Sequence, residues 1–268
     1  MENLKRRNHY FWPRLDIVIA QHHWPTWGQV RVIAFLASQR DMFKYIHDQT
    51  LRLANERYTT VEIAEMVTLP DSLGQQWFNR GYYGSVNHDV KAVYQRYLGW
   101  YDSNPAHLYP LPPTESAKLY VEYMGGADAV IQKAQKSFAD GQYRWVAQVT
   151  DQVVFADRSH QPARNLEADA LEQLGYEAEN PTWRNEFLMG AFELRNFVPK
   201  LPGINTVTPD AVRAMSTESL LDLMGVRLNG QKANGKTISI KSTLSRWKIW
   251  SSSILKMKNC QTRTSHSV

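Results

Sequence analysis

Cysteine is nearly absent. The single Cys260 among 268 residues can form no internal disulfide, so no covalent framework replaces a packed core, and the redox compartment is left open. Long apolar runs are missing too: the longest near the start is LDIVIA at Leu15–Ala20, far short of the roughly 18 residues that cross a bilayer. The opening segment is accordingly expected to be neither a membrane span nor a cleavable signal, and no stable membrane insertion is expected. Acidic residues are lacking from Lys241 onward, where Lys241, Arg246, Lys248, Lys256, Lys258 and Arg263 contribute +6 against a net charge of +5, leaving −1 for the other 240 residues. The body of the chain is therefore close to neutral. A phosphate-binding face needs Lys and Arg clustered on folded surface, so nucleic acid is not an expected partner. Histidine is sparse in the arrangement that hydrolytic metals use: the eight histidines, at 9, 22, 23, 47, 88, 107, 160 and 266, include no i, i+2 pair followed by an acid.

What is present is a globular chain, 43% apolar, long enough for two compact domains. Leu15–Ala20 is rich in β-branched residues and reads as a buried strand, with His22 and His23 just beyond its C-terminal end. Positions 29–55 read as a helix, because Val32, Phe35, Leu36, Phe43, Ile46, Leu51 and Leu53 recur at spacings of three and four. Thr60 is the expected N-cap of a short helix over 61–68 that Pro70 closes. After the prolines at 110, 112 and 113, helices are expected over 114–124, 127–140, 143–157, 161–174 and 181–197. Gly141 and Gly175 stand where C′ glycines would end two of them, and Asn180-Pro181 opens the last. Alanines interleaved with aromatics in KSFADGQYRWVAQVTDQVVFAD suggest closely packed helix pairs of tetratricopeptide type. The acids at 140, 151, 157, 167, 169, 172, 177 and 179 sit beside Lys and Arg and read as a solvated face. Beyond Thr208, helices over 209–215 and 217–224 lead to VRLNGQKANGKTISI, whose Asn-Gly turns and alternation over 237–240 suggest the start of a strand.

Chemistry-bearing residues gather in two places. QHHWPTWG, at 21–28, places two imidazoles at a strand end, where α/β proteins build their sites; the residues alone leave metal ligation and simple packing equally open. The loop Arg80-Gly81-Tyr82-Tyr83-Gly84-Ser85-Val86-Asn87-His88 brackets tyrosines with glycines. Such a turn lets backbone and phenols approach a ligand closely, with Asn87 and His88 able to donate to anionic oxygens and Arg80 able to add charge. An aromatic turn bridging two domains is the plainer reading of the same residues. Tyr94, Tyr97, Trp100 and Tyr101 follow at helical spacing and read as core, with Tyr97 a weak substrate candidate.

QHHWPTWG together with WFNRGYYGSVNHDVKAVYQRYLGWYDSNPAHLYPLPP, at 77–113, resembles the alkyl sulfatases of the metallo-β-lactamase superfamily, and the likeness extends from about Asp16 to about Ile240. The resemblance implies a mostly α chain in three parts. Residues 1–111 would be a C-terminal remnant of a metallo-β-lactamase α/β domain, 112–200 a helical tetratricopeptide-like dimerisation domain, and 206–268 a truncated α+β sterol-carrier-like start with an atypical basic tail. It implies a zinc-dependent hydrolysis of sulfate esters of primary alcohols, two zinc ions per complete enzyme, and a homodimer. His22 would be the last metal ligand, with His23 the alternative, and Tyr83, Asn87 and His88 would face the sulfate. The family's His-x-His-x-Asp-His signature does not occur in these residues. The chain is therefore expected to be a fragment, inert alone, its first 14 residues and its tail being foreign to the pattern. The alternative expectation is a non-enzymatic helical dimerisation module.

Overall fold

A computed structural model describes residues 15–198, 203 and 207–237. The expectations for the opening 14 residues, for Cys260 and the basic tail, and for the strand beyond Thr237 lie outside the described residues. Two units are distinguished, Met1–Lys200 and Leu201–Val268, and the described part of each is mostly helical.

The first unit opens with a two-stranded antiparallel ribbon, β1 (Ile17–Val18) and β2 (Thr26–Trp27), with Ile17 opposite Trp27 and Val18 opposite Thr26. The strand expected over Leu15–Ala20 is thus shorter, and it is not buried: Ile17 is 43% and Ile19 72% exposed. Among the described residues the sheet has these two strands, and Trp27, opposite Ile17, is exposed as well. Gly28, at φ +87°, donates its N–H to the Asp16 carbonyl at 2.8 Å and turns the chain into α1 (Gln29–Asn55), which has the bounds the periodicity predicts. Next come α2 (Thr60–Met66), the single turn α3 (Asp71–Gly74), and α4 (Val86–Leu98). The cap of α2 is Thr59 rather than Thr60. Its side chain accepts from the Glu62 N–H while the Glu62 carboxylate accepts from the Thr59 N–H, a reciprocal box that only a residue three before the glutamate can make. Met42, Ile46, Leu53, Ile63, Ala64, Val67, Val90 and Tyr94 form one core between α1, α2 and α4.

A second core lies further along the same unit, in α5 (Pro113–Tyr123), α6 (Ala127–Ala139), α7 (Tyr143–Ala156), α8 (Gln161–Glu177) and α9 (Pro181–Asn196). It is built from Val130, Ile131 and Ala134 of α6, Val146, Val149 and Val153 of α7, and Ala163, Leu166 and Ala170 of α8, so each of these three helices contributes a stripe spaced by three and four. Gly141 ends α6 at φ +76°, as expected. Gly175 does not end α8, which continues to Glu177. A Cβ there would stand 2.9 Å from Leu188 Cγ, so this glycine is needed for the close approach of α9. Of the acids read as a solvated face, Glu167 is buried, only 8% exposed within the helix stack, and Asp151 is half-buried.

In the second unit, α10 (Pro209–Ala214) and α11 (Thr217–Arg227) are followed by the helical turn α12 (Gly230–Ala233), capped by Asn229. The strand start expected from VRLNGQK is replaced by helix. Asn229 serves as an N-cap, accepting from the Lys232 N–H, instead of closing a hairpin.

Candidate functional site

The link between β1 and β2 carries the histidine pair, and the backbone sends the two rings different ways. His22 has φ +65°, a left-handed conformation that is uncommon outside glycine and concentrated at functional sites. Its exposed ring stacks on Tyr83, with centroids 4.0 Å apart and planes 17° off parallel. His23 turns inward. Its Nε2 lies 2.8 Å from the Phe78 carbonyl oxygen, and its ring meets Phe35 and Tyr82 edge-on, each at 5.6 Å. Behind it, Gln39 donates to Asn79 Oδ1 at 2.9 Å and to the Phe78 carbonyl, while Asn79 donates to Ser38 Oγ and the Leu73 carbonyl, each at 2.9 Å. His23 is therefore part of a hydrogen-bonded aromatic floor, and His22 stands above it.

The glycine-bracketed loop is fastened from far along the chain. Residues around the start of α9 hold it: the Arg80 guanidinium donates to Glu179 at 2.6 Å, and Asn180 and Thr182 both donate to the Tyr83 carbonyl, Thr182 at 2.8 Å. Trp183 Nε1 lies 3.3 Å from His88 Nδ1. Asn180 also caps α9, its Oδ1 accepting from the Trp183 N–H at 3.0 Å, so a single residue starts the helix and grips the loop. At the other end Ser85 caps α4 by accepting from the His88 N–H at 3.2 Å.

These contacts decide what each candidate presents. Tyr83 is 55% exposed with its carbonyl held, and its ring covers His22. His88 has Nδ1 engaged and lies exposed. Asn87 spends its amide N–H groups on the Ala64 carbonyl at 3.0 Å and Glu65 at 3.1 Å, and its Oδ1 is buried with no protein partner. Glu65 is also gripped through both oxygens by Arg144 of α7, each at 3.1 Å, and this bidentate pairing is the main cause of a carboxyl pKa below the ordinary range. Beside His88, burial pushes the Asp89 carboxyl up, with the His88 charge opposing in smaller measure. Asp89 lies against Gly84, where a Cβ would come 3.4 Å from Oδ1. Arg80, weighed as an anion contact, is paired with Glu179. The aromatic stripe splits: Tyr94 is core, while Tyr97 is 57% and Trp100 68% exposed, the Tyr97 hydroxyl 2.9 Å from His47 Nε2.

His22, Tyr83 and His88 are thus drawn toward one loop, and Glu179, Asn180, Thr182 and Trp183, none of them read from the sequence as part of the site, hold that loop in place. The Asn180-Pro181 cap was legible; its second bond to Tyr83 lies 97 residues away and leaves no local trace. As for a metal, no group of three or more His, Cys, Asp and Glu side chains converges among the described residues. A hydrolytic zinc takes three protein ligands and a structural one takes four, so these side chains alone do not fit one.

The chain belongs to the alkyl sulfatase family. The family model described as alkyl sulfatase dimerisation matches residues 59–197, taking in both the loop and the helices that clamp it, and that described as alkyl sulfatase C-terminal matches 205–262. Among individual proteins, the chain is 53% identical over 253 residues to an alkyl/aryl-sulfatase of Saccharomyces cerevisiae, covering 93% of this chain and 38% of that protein. It is 52% identical over 226 residues to a linear primary-alkylsulfatase of a Pseudomonas species, covering 84% and 34%. A solved structure, the stereoselective inverting sec-alkylsulfatase Pisa1 from Pseudomonas sp., superposes with a TM-score of 0.84 at 42% identity, covering 89% of this chain and 37% of that one. The chain therefore spans little more than a third of the length of the relatives it matches.

Proposed function

We propose that the chain is the sulfate-binding and dimer-forming portion of a zinc-dependent linear alkyl sulfatase, which hydrolyses sulfate esters of primary alcohols of the dodecyl sulfate type to alcohol and sulfate. The observation that carries this reading is the His22–Tyr83 stack at 4.0 Å, which joins the histidine-bearing turn to the glycine-bracketed loop across 61 residues of chain. In the proposal residues 1–111 belong with the catalytic domain, 112–200 form the dimerisation segment through which two copies associate, and 206–268 open a sterol-carrier-like domain.

Each candidate has a part that its contacts allow. Tyr83 orients the His22 ring by stacking, so that an imidazole nitrogen is aimed rather than rotating freely. His88 offers Nε2–H to a sulfate oxygen. Asn87, its N–H groups given to α2, anchors the end of the loop beside the sulfate. Zinc would supply polarisation of the ester and a hydroxide at neutral pH. His22 would be one of its ligands, with the remaining ligands coming from outside the described residues; in this reading the described residues bind the ester and turnover depends on those further ligands.

The reading is tested by titrating the full chain with hexyl sulfate, kept below its micellar concentration, and with hexanol as control. Saturable binding of the sulfate ester that is weakened at least tenfold in Tyr83→Ala and His88→Ala is expected, with no sulfate released when zinc is added. Binding untouched by both substitutions would overturn the site. Turnover by the chain alone with two tightly bound zinc ions would overturn its dependence on ligands from elsewhere.

A further inference from the structure

We infer that Trp183, on the helical segment, is a positioning residue: it fixes the tautomer of His88 so that the Nε2–H points outward from the loop. The part of this inference that concerns sulfate rests on the functional reading above; the tautomer does not. An indole nitrogen can only donate. With Trp183 Nε1 at 3.3 Å from His88 Nδ1, the imidazole lone pair must sit on Nδ1, and the neutral ring then carries its hydrogen on Nε2. A donor aimed at the ligand is what an ester oxygen requires; the opposite tautomer would meet it lone pair to lone pair.

The indole is well held for this task. Its own N–H of the backbone is bound by Asn180 at the helix cap, 3.0 Å away, its ring packs edge-on to Phe187 with centroids 6.3 Å apart, and the Lys91 ammonium lies 5.7 Å from the ring centre. Asn180 and Thr182, three and one positions before it, grip the Tyr83 carbonyl. One helix start thereby sets the position of the loop and the proton of its histidine together. The helical segment is in this way part of the binding site as well as of the association surface.

The test is the nitrogen-15 signature of the His88 ring, by long-range proton–nitrogen correlation on the full chain, above the pH at which the ring is protonated. The wild-type chain is expected to hold its hydrogen mainly on Nε2. Trp183→Phe keeps the ring and its edge contact but loses the N–H, and is expected to move the tautomer ratio about fivefold toward Nδ1–H, the worth of one neutral hydrogen bond. A wild-type ring carrying its hydrogen on Nδ1 overturns the inference whether or not the variant folds, and so does an equal ratio in wild type and Trp183→Phe. If the ratio shifts as expected but hexyl sulfate leaves the His88 resonances of the wild type unmoved, the tautomer stands and the aim at sulfate is overturned.

Discussion

Glu167 offers a sharp test of how the helical stack is held. Its side chain is 8% exposed, one carboxylate oxygen is buried with no protein partner, and burial, with the neighbouring Asp151 charge adding to it and Arg164 opposing, raises its pKa from 4.5 to about 8. Arg164 gives little relief because its guanidinium is bound to the carbonyls of Arg158 and Glu193 and faces the Phe197 ring at 4.1 Å. The folded chain keeps the Glu167 proton up to about pH 8, whereas the unfolded chain releases it near 4.5. Stability is therefore fullest below that window and falls as pH rises through it. At about 1.4 kcal/mol per unit, the unfolded chain's readier release of this proton lowers stability by on the order of 3 kcal/mol at pH 7 and nearly 5 at pH 9. Glu167→Gln keeps the shape and removes the proton. Urea unfolding of wild type and variant at intervals from pH 5 to pH 9 reads the effect as a difference, in which every other titration cancels. The two should be similarly stable at pH 5 and should diverge in favour of the glutamine by several kcal/mol at pH 9. Curves that stay parallel would refute the reasoning.

Two further outcomes follow from packing and capping. Gly175→Ala sets a methyl 2.9 Å from Leu188 and forces α8 and α9 apart; a loss of about 1 to 3 kcal/mol is expected in chemical denaturation, in spite of alanine's better helix propensity. Thr59→Ala removes the acceptor for the Glu62 N–H, lowering stability by about 1 kcal/mol, whereas Thr60→Ala should be nearly neutral, a contrast that thermal melts of the pair resolve.

The long helices were readable because their apolar residues repeat at 3.6, and a period of that kind survives whatever they pack against; 29–55 matches α1 at both ends. Readings that depended on a partner fared worse. Leu15–Ala20 has the composition of a buried strand, yet burial is decided by what lies over it, and among the described residues β1 has one neighbour strand. Gly175 shares its composition with a true terminator such as Gly141; only the proximity of Leu188 separates a packing glycine from a capping one. The acids of α8 were assigned by their charged neighbours in sequence, but a helix turns one residue in several inward, and Glu167 is on that side. For the site, residue identity exposed His22, Tyr83 and His88 as chemistry-bearing. It was silent on Trp183, because a tryptophan near a helix start is ordinary in sequence and becomes informative only through the imidazole beside it.

The gripping of the Tyr83 carbonyl by Asn180 and Thr182 has a consequence for how the chain is made. On the ribosome the tyrosine loop emerges nearly a hundred residues ahead of its clamps, so it must wait, unfastened, while α5 to α8 form behind it, and contacts of such separation are among the slowest to close. Nascent chains halted before residue 179 should carry a loop that is readily cut by protease, and those released after α9 a loop that resists.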